Sequence, residues 1–484
     1  MFADICTGLI SILTPETIGA VALGIFTGLM FGAIPGISGI MAISILLPLT
    51  FYVSPLVGIP MLLGIYKASM FGGSITAVLL NTPGAPPAVC TAMDGYPLTK
   101  QGKAGKGLNA ALVGSVFGDT FSNILLICVA APLSYLTLKV GPVEQCSLIL
   151  LALTVVGSIS GSSILKGILC AGVGILLATV GVSGTTGAMR FTFENENLMS
   201  GIALIPMVIG LLCLPEVIHQ ACSGIRKTFE QQFDLSGENG RLSWQEIKSR
   251  IPVLLRSSII GSVIGAMPGL GASPAAYMAY SEAQRTSKHP EKFGKGAIEG
   301  VMAPEAANNA VTGSAMIPLL TLGIPGDDVT AVLMGGLIIQ GLQPGPELFT
   351  RYAPMTYTFF AGFVLVQFFM LGIGLLGCRG FAQISRLSDA ILIPAVTVLC
   401  FVGSYAIHRN LSDVVVMLIF GGLGYLMRKF DLNNAAVVLA LILGPISEKG
   451  LRGALRVSDG DIGCLFTSPV SWVLIILSIV GIFS

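Results

Sequence analysis

Two short breaks hold the polar groups that could do chemistry in this chain. They are Asn81-Thr82-Pro83-Gly84 and Gly323-Ile324-Pro325-Gly326, the second followed at once by Asp327 and Asp328. Each interrupts an apolar run of membrane length. A break there frees carbonyls before it and N–H groups after it, and in lipid such groups must be buried in protein or line a wet cavity. Neutral oxygens from Ser74, Asn81 and Thr82, with freed carbonyls, suit a Na⁺ ion, and N–H groups at the start of a half-helix suit a carboxylate. The plainer alternative is a Pro-kinked helix whose polar side chains satisfy one another.

The second half offers more. Within "VMAPEAANNAVTGSAMIPLLTLGIPGDD", Glu305, Asn308, Asn309 and Thr312 are spaced by three and four, which puts them near one helical face. A carboxylate beside amides in an apolar helix is costly unless it meets a cation, a proton or a partner. Capping, or pairing with a loop lysine such as Lys295, would also satisfy Glu305. A Na⁺ site is expected near Asn81, Thr82, Asn309 and Thr321, with the backbone of Pro83, Gly84, Gly323, Pro325 and Gly326 close by. Asp327 and Asp328 are either ion ligands or helix N-caps at the membrane edge.

Enzymatic readings have less to stand on. Gly36-Ile37-Ser38-Gly39 fits the GxSG pattern of intramembrane serine proteases, but that chemistry needs a histidine base in reach. The three histidines, His219, His289 and His408, lie in polar stretches or near helix ends. Asp327 as an intramembrane aspartyl protease residue needs a second acid, and no repeat logic supports Asp94 or Asp119. No phosphate-binding GxxxxGK[ST] loop occurs. The chain is not expected to be an enzyme or to need a cofactor beyond a coupling cation. A protease using Ser38 or Asp327, or a passive channel, is the alternative.

These residues need a membrane frame. Of the 484 residues, 53% are hydrophobic and only 11% charged, against about 25% charged in soluble domains. The expected fold is all-α and polytopic, with about 12 transmembrane helices plus broken or re-entrant segments. The expected runs include Ile37–Tyr52, Leu56–Leu80, Leu198–Leu214 and Ala297–Leu322. Lysine and arginine gather at 97–106, 219–250 and 285–295, which places those loops inside, while 183–197 fits the outside. In the 219–250 loop, Ser243 to Glu246 fits a capping box opening a helix. The net charge of +1 says nothing about nucleic acid, but no long basic block occurs, so no nucleic-acid partner is expected.

An internal repeat organises the frame. "GLMFGAIPG" (Gly28–Gly36) recurs as "GSVIGAMPG" (Gly261–Gly269), and "LNTPG" (Leu80–Gly84) as "LGIPG" (Leu322–Gly326). Matching loops carry opposite charge. Thr50–Gly58 has no lysine or arginine where 285–295 is basic, and 97–106 is basic where Gln340–Pro346 is uncharged. Opposite charge implies opposite orientation, and inverted repeats with broken helices mark secondary transporters. A rival register pairs Lys103–Gly114 with Lys292–Ala303. The expected parts are a first repeat at 15–135 with breaks at 35–36 and 83–84, connecting helices at 136–218 and a cytoplasmic loop at 219–250. A second repeat follows at 251–380 with breaks at 268–269 and 325–326, then C-terminal helices at 381–484.

At these motifs the sequence resembles the large membrane subunit of tripartite tricarboxylate transporters, the TctA-type family. The matching stretches run in order from about Gly24 to Pro469. They are "GAIPGISG", "NTPGAPPAVCTAMDGYPLTKQGKAGKGL", "GAMPGLGAS", "APEAANNAVTGSAMIPLLTLGIPG" and "LGPISEKGLRGALRVSDGD". The resemblance implies a multi-pass symporter subunit in a bacterial inner membrane. It implies a small membrane subunit and a periplasmic solute-binding protein as partners, and a carboxylate substrate, citrate-like in the namesake system. It carries over Pro35, Gly36, Gly39, Asn81–Gly84, Pro268, Gly269, Gly271, Glu305, Asn308, Asn309 and Leu322–Gly326, and Ser273 beside them joins the candidate binding residues. Asp327-Asp328 and Ala85-Pro86 depart from the family pattern beside two of these loops. The lack of an evident array of buried carboxylates and histidines favours Na⁺ over H⁺.

Overall fold

Glycines four residues apart set the closest helix contacts, and the fold is built out from them. The computed structural model describes residues 8, 10–34, 38–138, 141–158, 163–184, 186–223, 242–384 and 389–483. The first helix, α1 (Pro15–Gly32), lies along α3 (Pro55–Leu80). A Cβ at Gly28 would sit 2.9 Å from Ala68 Cβ, and one at Gly32 would sit 3.0 Å from Gly72 Cα. Small residues at this period let two backbones touch where apolar burial alone gives helices no reason to associate in lipid. Between them, α2 (Gly39–Leu46) runs on into a 3-10 turn, Leu47–Tyr52. The expected span Ile37–Tyr52 is therefore a short, broken segment.

Helix α3 is the central post. It is 26 residues long, and its membrane-length window is 100% buried, with Lys67, Ser69, Ser74 and Thr76 as buried polar side chains in a helix otherwise apolar on every face. It ends at Asn81, whose left-handed φ of 55° turns the chain out of the helix. After the Pro-Gly break the chain restarts as α4 (Ala88–Lys100) and then α5 (Ala104–Thr137). Next come α6 (Pro142–Ser158), α7 (Ile164–Ala178) and a two-stranded antiparallel hairpin pairing Gly181 with Arg190. A further helix, α8 (Leu204–Cys222), contains a π turn at Ile209–Cys213.

The second half repeats the glycine device. Helix α9 (Trp244–Gly265) lies along α11 (Ile298–Ser314), and a Cβ at Gly265 would come within 2.8 Å of Val311 Cα. Between them α10 (Ala272–Thr286) packs on α11. The chain bends at Ala315 into α12 (Met316–Leu322). Pro318, which clashes with the carbonyl four residues earlier, accounts for that bend. Gly323, with φ 71°, ends α12 as Asn81 ends α3. The chain then continues as α13 (Asp328–Ile339) and α14 (Ala353–Ile384). The outer helices are α15 (Asp389–His408), α16 (Leu411–Lys429), α17 (Asn434–Val457) and α18 (Pro469–Phe483).

The halves interlock: α5 packs on α11 and α14 packs on α3. Gly114 and Gly118 of α5 face the Met302 and Ala306 carbonyls of α11, leaving no room for a side chain. Among the described residues, eight helices are long and apolar enough to cross a membrane, and four shorter apolar segments accompany them. The protein is an all-α polytopic membrane protein, as the sequence leads one to expect.

The capping box is present: Ser243 Oγ accepts from the Glu246 amide, and Glu246 accepts from the Ser243 amide. Residues 224–241 of the 219–250 loop lie outside the described residues. Lys106 Nζ donates to Glu246 Oε1 at 2.5 Å, tying the start of α5 to the start of α9. That bond, helped by the Ser243 amide, holds the Glu246 carboxyl down to about 2. Depression of a folded carboxyl means stabilisation above its unfolded pKa, about 4.3, lost as pH falls toward the folded value. Melting between pH 6 and pH 3 is expected to show a modest fall in midpoint, since the pair is partly exposed. A Lys106→Ala variant is expected to flatten that fall, and an unchanged slope would remove the pair from the account.

Candidate functional site

A cavity of about 410 Å³ lies where five helices begin, the fifth being α17 with Asn433, Ala435 and Ala436 in the wall, within the size range of small-ligand sites. Its walls come from Ser38 and Gly39 at the start of α2, Ala85 to Pro87 before α4, Gly269 to Pro274 around the start of α10, and Asp327 to Val329 at the start of α13. Helix starts gather here because each Pro-Gly break ends one helix and opens another. Such starts offer unpaired N–H groups and roughly half a positive charge.

Three of the five starts are already covered, that of α17 by Asn433 Oδ1, which accepts from the Ala435 amide at 2.9 Å. Ser38 Oγ accepts from the Met41 amide at 3.4 Å. Asp327 Oδ1 accepts from the Thr330 amide at 2.7 Å, and its Oδ2 accepts from the Tyr66 hydroxyl at 2.5 Å. Helices α4 and α10 both begin without a side-chain cap, but the first amides of α4 donate to the Ala85, Pro86 and Pro87 carbonyls, and α10 begins differently. Its N-cap is Gly271, with φ 68°, and no side chain caps it. Its first turn, with the Ser273 hydroxyl beside the backbone amides, is the place in this wall best suited to an incoming carboxylate.

A second polar centre lies inside the bundle. Glu305 on α11 is fully buried. It accepts from Ser74 Oγ on α3 and Thr91 Oγ1 on α4, and from Ser115 Oγ on α5 at 2.8 Å. One carboxylate thus ties four helices together. One turn on, Asn309 Nδ2 donates to the Glu305 carbonyl at 3.2 Å. Thr312 Oγ1 donates to Asp119 Oδ1 at 2.9 Å. The same Oδ1 accepts from Lys67 Nζ at 2.5 Å, and Lys67 also donates to Asn123 Oδ1 at 2.7 Å. Lys67 and Asp119 are 0% exposed, and the ammonium sits 4.7 Å from the centroid of the Phe363 ring. Asp119 Oδ2, Asn309 Oδ1 and both side-chain polar atoms of Asn308 are buried without a hydrogen bond. Native interiors rarely leave such atoms unpaired without a reason.

The expected site residues fall into separate groups. Gly39, Gly269, Gly271, Ser273 and Asp327 line the cavity. Ser74, Glu305, Asn309 and Thr312 share the inner network, and Asn308 is buried on the same helix. Asn81 is exposed and acts as the left-handed cap of α3. Thr82 Oγ1 donates to the Leu80 carbonyl and Thr321 Oγ1 to the Ile317 carbonyl. Among the described residues no hydrogen bond joins any two of Asn81, Thr82, Asn309 and Thr321, the four named for Na⁺. Pro83 is half-buried, and Gly84 donates its amide to the Gly73 carbonyl at 3.1 Å. Gly323, Pro325 and Gly326 are buried, and the Gly326 carbonyl accepts from the Gly269 amide at 2.6 Å. Gly36 and its break at 35–36 lie outside the described residues.

Two expectations change. Glu305 is held by hydroxyls and not by Lys295. Asp327 is a helix cap, but a buried one rather than one at a membrane edge. Asp94, Asp119, Glu305 and Asp327 are all buried, and no histidine is buried with them among the described residues. Lys67 escaped the sequence reading, although a single lysine in a 26-residue apolar helix is itself a signal. Asp94 holds a turn in place. Its Oδ1 accepts from the Gly296 and Ala297 amides at 2.8 Å, and its Oδ2 accepts from the Tyr280 hydroxyl at 2.9 Å.

Comparison with known proteins adds to this geometry. Residues 18–439 match the "Tripartite tricarboxylate transporter TctA family". An Agrobacterium vitis protein described as an "Uncharacterized 52.8 kDa protein in TAR-I ttuC' 3'region" is 34% identical over 477 residues, covering 97% of this chain and 93% of that protein. A second from the same organism, an "Uncharacterized protein in TAR-II ttuC' 3'region", is 36% identical over 220 residues, 46% of this chain and 91% of its own length. No solved structure matches.

Proposed function

The chain belongs to the tripartite tricarboxylate transporter TctA family, and from that premise we propose that it is the large transmembrane subunit of a cation-coupled secondary transporter. Its substrate is a tricarboxylate or related carboxylate. A periplasmic solute-binding protein delivers it, a small membrane subunit completes the complex, and the bacterial inner membrane houses all but the binding protein. The observation that carries the reading is the cavity of about 410 Å³ walled by five helix starts, one of them the uncapped α10. Uncovered N–H groups at membrane depth suit an anionic substrate group.

Two inverted-topology repeats, 15–135 and 251–380, belong to the same proposal. Left-handed caps at Asn81 and Gly323, glycine-lined contacts of α1 with α3 and of α9 with α11, and the exchanged contacts α5–α11 and α14–α3 support it. In that arrangement the cavity opens alternately to either side as the repeats rock.

The test is uptake of radiolabelled citrate and shorter dicarboxylates by cells expressing the chain with both partner subunits. Accumulation above the external concentration, collapsing when an ionophore dissipates the cation gradients, is the expected result. Simple equilibration, unaffected by the ionophore, would mean a channel.

A further inference from the structure

Among the described residues Lys67 is the one buried lysine or arginine. It sits midway along the fully buried α3, where an ammonium costs several kcal/mol unless paired and bonded. The groups around its Nζ are a carboxylate oxygen of Asp119 at 2.5 Å and an amide oxygen of Asn123 at 2.7 Å. The Thr312 hydroxyl is bound to the same Asp119 oxygen at 2.9 Å, and the Phe363 ring closes the remaining side. Carboxylate and amide oxygens from α5, with the Thr312 hydroxyl of α11 behind them, are donors of the kind a hard cation takes. Here two of them hold the ammonium of a side chain.

Resting on the transport reading above, we propose that Lys67 occupies, as a tethered ammonium, the position of a coupling cation, so that the counter-charge moves as a proton on the Lys67–Asp119 pair and not as free Na⁺. On release, an Nζ–H bond breaks, its electron pair stays on Nζ, and the proton passes through Asp119 to solvent on the inner side. A neutral amine is left beside the carboxylate, and loading from outside reverses the step. Asp119 keeps Oδ2 free of hydrogen bonds, so it can accept a proton there without giving up Lys67 or Thr312.

The pair is placed to sense the cavity. Tyr66, the preceding residue on α3, donates to Asp327 in the cavity wall at 2.5 Å. A shift of α3 therefore reaches both centres. The buried ionisable groups on the helices packed against α3 are, besides Asp119, Glu305 from α11, Asp94 and Cys90 from α4, and Asp327 at the start of α13. Asp328, Glu299, Tyr96, Lys100, Lys106, Cys128 and Tyr135 on these helices are partly or fully exposed, with Lys106 paired to Glu246 and Lys100 over the Tyr96 ring. Helix α2 carries none, α1 has only the exposed Glu16, and α14 presents Phe363 with Tyr357 nearby in sequence. No second cation competes for the carboxylate of Asp119 among these groups.

Two measurements on the full chain test this. In the first, the purified protein is melted in sodium chloride and in choline chloride. The wild type is expected to melt at the same temperature in both. Lys67→Ala, which opens the oxygen cage, is expected to gain several degrees in sodium, while Lys67→Met, which fills the space with apolar bulk, is expected to stay indifferent. In the second, right-side-out vesicles holding the chain and its partner subunits take up labelled citrate. A one-unit inward proton gradient without sodium is expected to support up to about tenfold accumulation, lost in Lys67→Met. Sodium-dependent melting of the wild type, or accumulation driven by a sodium gradient alone, would overturn the inference and leave the transport reading standing. Uptake under neither gradient would sink the transport reading and this inference with it.

Discussion

Asp119→Leu is expected to destabilise the protein by about 3–5 kcal/mol, because it leaves Lys67 as a buried, unpaired ammonium. The carboxylate contacts Lys67 at 2.5 Å, and both side chains are shut off from solvent. Removing one partner keeps the cost of burying the other charge and loses the attraction that offset it. Lys67→Met alone is expected to cost less, since Asp119 keeps the Thr312 hydroxyl. The double variant, Lys67→Met with Asp119→Leu, is expected to recover most of the loss, because two apolar side chains replace two desolvated charges. Melting midpoints of the three variants in detergent form a cycle that isolates the pair. A double variant no more stable than Asp119→Leu would show that the charge is not what makes the single change costly.

Glu305→Leu is the second large effect. Three hydroxyls, from Ser74, Thr91 and Ser115, lose their acceptor at once. Bonds to a charged group contribute about 1.5–3 kcal/mol each, and relief of the carboxylate's own desolvation offsets part of that. A net loss of about 3–5 kcal/mol is expected on that basis. Glu305→Gln keeps one acceptor oxygen and is expected to cost about 1–2 kcal/mol. The damage should also be distributed: α3, α4, α5 and α11 meet at this one side chain, so hydrogen exchange is expected to rise in all four. A rise confined to α11 would reduce Glu305 to a local contact.

The membrane class, the helix breaks and the capping box at Ser243 were legible because each rests on local sequence. A charge deficit, a Pro-Gly pair and a Ser-x-x-Glu need no knowledge of distant partners. The repeated GxxxG stretches were legible as pattern, and the structure supplies their reason: Gly28 and Gly32 let α1 touch α3, and Gly261 and Gly265 let α9 touch α11. Glu305, Asn309 and Thr312 were legible as one face, because helical spacing fixes faces. Their partners were not. Lys67, Asp119 and Asn123 lie 56 residues apart at most and meet only once α3 and α5 pack. Asn81 and Thr82 misled for the converse reason. They look like ion ligands beside a break, yet Asn81 serves to turn the chain at φ 55°. Gly39, Gly269, Gly271, Ser273 and Asp327 were legible as candidates, but the cavity that joins them was not, since it exists only where five separate helix starts converge.

The central claim is that the uncapped start of α10 receives a substrate carboxylate within that cavity. Its most direct test is a high-resolution cryo-electron microscopy map of the full chain with its small subunit in saturating citrate. The account predicts ligand density in the cavity, with a carboxyl group against the Gly271–Ser273 turn and the Ser38–Gly39 turn beside it. Density at the Asn81–Thr82 break instead, or bound citrate with the cavity empty, would contradict it.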